Sequence, residues 1–159
     1  MSQVHLHLLI THLPVFGSIL GAFVLGYGLW VKNDHTKIAA YLLFVLSAIG
    51  AGIAYLTGEG AEEAVEDLPG VSEMIMKQHE QFAMYALISL LILGALSLVS
   101  LFLTYKKSVF ANTFSLITMV VSLISFALVA QTGNLGGQIR HTEIRTGAVQ
   151  NTTGRDKDD

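Results

Sequence analysis

Four stretches of the chain run without a single Lys, Arg, Asp or Glu: residues 1–31, 38–58, 81–105 and 108–139. Inside them lie apolar runs of 19 to 23 residues, from Leu13 to Val31, Ile38 to Leu56, Phe82 to Thr104 and Val109 to Ala130. A helix needs about 20 residues to cross a hydrocarbon core of roughly 30 Å. In lipid the backbone must satisfy its own hydrogen bonds, so runs of this length form helices. The pattern predicts an all-α, integral membrane four-helix bundle over residues 1–145, with helices at about 12–31, 38–57, 79–105 and 109–131. The first run lacks a basic n-region and is long enough to span, so it reads as a retained helix and not as a cleaved leader. Pro14 falls near the start of that helix, where a missing N–H matters least, and Thr11 is the expected cap. The segment 146–159 is polar, rich in Gly, Thr, Asn and Asp, and reads as a disordered tail.

Composition agrees with a bilayer as solvent. Of the 159 residues, 52% are hydrophobic and 13% charged, about half the charged fraction of roughly 25% in a soluble domain. Mean hydropathy is +0.58. So little polar surface excludes a disordered chain, a nucleic-acid-binding surface and a conventional soluble enzyme. Cysteine is absent, which removes disulfides, thiolate metal sites and covalent haem attachment through C-x-x-C-H.

The net charge of −3 matters less than its distribution. Four spans place both termini on one side, with the long connection from Thr57 to Gln81. That connection carries seven acids (Glu59, Glu62, Glu63, Glu66, Asp67, Glu73, Glu80) and one base, Lys77. The two short turns opposite, residues 32–37 and 105–108, carry four lysines and one acid, Asp34. The positive-inside rule then puts the short turns in the cytoplasm of a bacterial inner membrane, with both termini and the 57–81 connection periplasmic.

No G-x-S-x-G, H-E-x-x-H, P-loop or dinucleotide fingerprint is present. The spans also lack an ionisable residue at mid-membrane, which argues against an ion-coupled carrier. Candidate chemistry resides in the histidines. Of six, only His35 lies in a short turn; His5, His7, His12, His79 and His141 fall on the termini side. Imidazoles gathered at one end of a bundle suit axial ligation of haem iron or coordination of a smaller metal. Glu59, Glu62, Glu63 and Glu80 are carboxylates that such a Zn, Mn or Fe site would recruit, although no E-x-x-H pair is present.

Periodicity adds three faces. From His79 one face runs through Ala83, Ala86, Leu90, Gly94 and Ser97, small enough to admit a flat macrocycle or to pack another helix. Gly17, Gly21 and Gly28 form a face about 140° from His12, at about 100° per residue, and are expected to pack a neighbour. Thr118, Ser122 and Ser125 form a polar stripe expected to face the bundle and bond between helices.

The segment His7-Leu8-Leu9-Ile10-Thr11-His12-Leu13-Pro14 resembles the H-P-x-x-x-H-F-P motif of a family of small bacterial four-helix membrane proteins, a domain of unknown function. Three further elements are similar in order and place: Thr57-Gly58-Glu59-Gly60-Ala61 to its T-G-x-x-A, His79 to its helix-3 histidine, and Gly136-Gly137 with His141 to its closing Gly-Gly and His. Leu8 and Leu13 stand where the family has proline and an aromatic, and the stretch from Gly137 to His141 is shorter than the family's. The resemblance covers about residues 5–145 and implies b-type haem, one or two per chain, held by His7, His12, His79 and His141. His12 with His79 is the expected first pair, and His7 with His141 the second.

Taken together, these features lead to the expectation of a membrane b-type cytochrome-like electron-transfer module or a subunit of a larger redox complex. It has no expected catalysis beyond electron transfer. The alternatives are a His/Glu metal-binding membrane protein and a structural subunit without cofactor. Expected partners are the lipid bilayer, other subunits or further copies of the chain, and a quinone or soluble cytochrome attracted by the acidic connection. Nucleic acid is not among them.

Overall fold

A computed structural model describes residues 3–66, 68 and 70–140. His141 and the polar tail lie outside these residues. The described chain is all helix and turn: α1 Gln3–Ile10, α2 His12–Trp30, α3 Asp34–Glu63, α4 Glu73–Tyr105 and α5 Ala111–Arg140. The four stretches Gln3–Trp30, Asp34–Glu63, Glu73–Tyr105 and Ala111–Ile139 are each long and apolar enough to cross a membrane. The protein is a multi-pass four-helix bundle.

The division between α1 and α2 is slight. Thr11 has helical φ and ψ of −61° and −24°, and its N–H donates to the His7 carbonyl at 3.0 Å. Thr11 therefore does not cap α2; its hydroxyl donates backwards to the Leu8 carbonyl. The local disturbance has two sources. Pro14 offers no N–H to the Ile10 carbonyl, and the His12 ring Nδ1–H reaches the Leu8 carbonyl at 2.8 Å.

Every helix runs further than its apolar run on the termini side. The first rod begins at Gln3, α3 continues to Glu63, α4 begins at Glu73 and α5 continues to Arg140. The long connection thus shrinks to residues 64–72. Residues 133–137, glycine-rich and beyond the expected helix end at about 131, stay helical.

Both short turns close alike. Lys32 N–H donates to the Leu29 carbonyl and Asn33 N–H to Gly28, while Lys107 and Ser108 N–H groups donate to Thr104 and Leu103. These paired bonds form Schellman closures, which demand a left-handed residue. Lys32 and Lys107 supply it, at φ 53° and 50°, where a Cβ costs about 1–2 kcal/mol and glycine costs none.

Small residues let the helices approach. A Cβ on Gly21 would stand 2.5 Å from Phe44 Cε1, and Phe44 is wholly buried. Gly17 faces Ser47 and Gly28 faces Lys37 in the same way, so the glycine face of α2 packs α3. Gly21→Ala is expected to cost about 1–3 kcal/mol, as overpacked cores do; a thermal melt in detergent that left the midpoint unmoved would contradict this contact. The face below His79 is likewise occupied by protein. A Cβ on Gly94 would meet the Ala48 Cβ at 2.8 Å, so at that level α4 packs directly on α3.

The polar stripe of α5 faces inward: Ser115, Thr118, Ser122 and Ser125 are fully buried. Thr118 bonds Ser100 of α4 at 2.8 Å and Ser115 bonds Tyr41 of α3 at 2.6 Å. Ser122 instead donates within its own helix to the Met119 carbonyl.

Candidate functional site: a histidine pair at the termini end of the bundle

The helical extensions on the termini side carry most of the candidate residues, and two of them turn inward. His7, on α1, is half-buried against α3. Its Nδ1 lies 2.9 Å from the Ala54 carbonyl and 3.3 Å from the Thr57 hydroxyl. His79, two turns into α4, is half-buried against α5, with Nδ1 3.0 Å from the Thr132 carbonyl. The two imidazoles are electrostatic neighbours.

These bonds settle which ring nitrogen carries the proton. A carbonyl oxygen only accepts, so Nδ1 must be the N–H in both rings. The Thr57 hydroxyl fits, since its own proton is directed at the Ile53 and Ala54 carbonyls. In the neutral ring Nε2 then keeps its lone pair. Metal-ligating histidines are commonly fixed in this manner, with the second nitrogen donating to a carbonyl or carboxylate.

Glycines lie beside both rings. A Cβ on Gly58 would rest 3.7 Å from His7 Cε1, an ordinary contact. On Gly136 it would stand 3.1 Å from His79 Cε1 and 3.3 Å from Nδ1. The His79 ring therefore occupies the space that a larger residue on α5 would fill.

His12 is not brought to His79. Five residues separate it from His7, about 140° around a helix. Because His7 faces α3, His12 is exposed on the opposite side, stacked on Phe16 with ring centroids 6.2 Å apart. Its Nδ1–H also donates to a carbonyl, that of Leu8 in its own helix. His5 and His35 are exposed. His141, the other expected ligand, lies outside the described residues.

The carboxylates gather around Glu62. Glu62 has Glu80, Glu66 and Glu59 as electrostatic neighbours. A hollow of about 390 Å³ is lined by Glu62, Glu66, Val71, Glu73, Met76, Lys77 and Glu80. Glu73 and Lys77 pair at 2.6 Å on the exposed surface, where such a bridge contributes little. Among the described residues, no three His, Cys, Asp or Glu side chains are placed to hold one metal ion.

The histidines were evident in the sequence, but their carbonyl partners were not. Ala54 and Thr132 contribute main-chain oxygens, which no side-chain pattern marks. Thr57 bonds the His7 ring, and Gly136 leaves the space beside the His79 ring open. No protein-family model, curated protein or solved structure matches this chain.

Proposed function

We propose that the protein is a membrane b-type cytochrome-like electron-transfer module, acting as a subunit of a larger redox complex or as a homo-oligomer, with His7 and His79 as the axial pair. The observation that carries this reading is the shared arrangement of the two rings: each Nδ1–H is tied to a carbonyl of the adjacent helix, and each Nε2 is left as a donor atom. Two ligand atoms of one kind, on separate helices and at one bundle end, suit an ion that needs two axial nitrogens more than one needing three or four mixed ligands. A b-type haem held by His7 and His79 would supply one-electron transfer. The chain's own part is to hold the two rings in one tautomer through the Ala54 and Thr132 carbonyls.

The His7–His79 pair replaces the expected partnership of His12 with His79. The reading keeps the expected setting: a bacterial inner membrane, with the termini and the acidic connection on the periplasmic side, where a basic soluble cytochrome or a quinone exchanges the electron. Electron paramagnetic resonance of the oxidised, purified protein tests the ligation. A low-spin bis-imidazole ferric signal is expected, and a high-spin signal alone rejects the pair.

A further inference from the structure

The opposite end of the bundle holds a second polar group that the histidine site does not use. Lys37 is only 4% exposed. Its Nζ donates to Asp34 Oδ1 at 2.8 Å and to Asn112 Oδ1 at 3.3 Å, which occupies two of the three N–H donors of an ammonium. Beside it opens a hollow of about 400 Å³, lined by Leu29, Lys32, Asp34, Lys37, Asn112 and Leu116.

Charge and position define what fits there. Two lysines face one carboxylate, so the hollow keeps one uncompensated positive charge. Asn112 presents its oxygen to Lys37, which leaves the carboxamide NH₂ as a further donor. Leu29 and Leu116 give the hollow an apolar margin, and Leu116 is 58% exposed on the membrane-facing surface of α5. A free anion would use only the polar half of this lining. An anionic phospholipid uses all of it.

Lys32 adds a second, backbone observation. It holds φ 53° at a closure that glycine fills without strain. The closure tolerates glycine, so the lysine side chain can be removed there without harm to the turn. Lys107 has the same backbone at the other turn but does not line the hollow, which supplies an internal control.

We propose that this hollow binds the headgroup phosphate of an anionic phospholipid through Lys32, Lys37 and Asn112, with an acyl chain following Leu116 into the bilayer. Basic pockets between membrane helices bind anionic headgroups by this chemistry.

The test is native mass spectrometry of the full-length protein in detergent, offered phosphatidylglycerol and phosphatidylcholine of matched chains. Wild type is expected to retain phosphatidylglycerol about tenfold over phosphatidylcholine. Lys32→Gly is expected to erase most of that preference while raising the thermal midpoint, since glycine suits the turn. Lys107→Gly is expected to raise the midpoint and keep the preference, and Asn112→Leu to weaken it without Lys32 being touched. Equal retention of both lipids by wild type overturns the proposal. So does equal loss in Lys107→Gly, which means general surface charge, or full displacement by inorganic phosphate, which means a free-anion site.

Discussion

His79→Ala is expected to give a folded protein that carries no haem. On the proposed reading the substitution removes a haem ligand, and with it one hydrogen bond to the Thr132 carbonyl. The lost bond costs about 0.5–1.5 kcal/mol, too little to unfold a bundle whose core lies deeper, around Leu25, Tyr41, Phe44, Leu90 and Leu93. His7→Ala is expected to behave alike, through the loss of its contacts with Ala54 and Thr57. His12→Ala is expected to keep its full haem content, because that ring lies on the exposed side of α2. Haem per chain, read beside helicity, separates ligand loss from unfolding. Added imidazole is expected to restore part of the spectrum in His79→Ala by filling the vacated position. Retention of haem by His7→Ala together with its loss in His12→Ala contradicts the assigned pair.

Gly136→Ala and Gly133→Ala are expected to differ sharply although they are the same change one turn apart. Around Gly133 an added Cβ meets nothing within 4 Å. Alanine there is neutral or gains up to about 1 kcal/mol in helix propensity. At Gly136 the Cβ stands 3.1 Å from the His79 ring, and the ring must move or lose its bond to Thr132. Disturbing the group that orients a ligating histidine costs about ten- to a hundredfold in affinity. Haem titration of the two variants measures this. Equal affinities in the pair sink the claim that Gly136 positions His79.

The bundle itself was legible because bilayer thickness fixes helix length. Charge-free runs of that length announce four spans whatever the details of their packing. The helix ends were less legible. Reading each helix as finished where charges begin stopped α3 at residue 57, yet Glu59, Glu62 and Glu63 continue it to Glu63, since glutamate is a good helix former outside the membrane. Gly133, Gly136 and Gly137 lie past the expected helix end at about 131, since glycine is a poor helix former in water, yet α5 continues through them to Arg140. Thr11 has a capping residue's chemistry, but α1 precedes it, so no helix start exists there to cap.

The site was legible in its residue types and not in its pairing. The 140° between His7 and His12 is arithmetic on the sequence, but which of the two faces the bundle depends on how the first rod meets α3. That contact is set by Gly17, Gly21 and Gly28 against Ser47, Phe44 and Lys37. Once the glycine face is fixed, His12 must point away. Lys37 shows the same limit. A lysine at the membrane edge reads as a topology signal, and only the packing of α3 against its neighbours makes it buried.

The most direct test of the central claim is a reduced-minus-oxidised absorption spectrum of the detergent-purified wild-type protein, from cells grown with ample haem, with haem counted per chain. The account predicts a Soret shift with a sharp α-band and one haem per chain on His7 and His79. A colourless protein contradicts it.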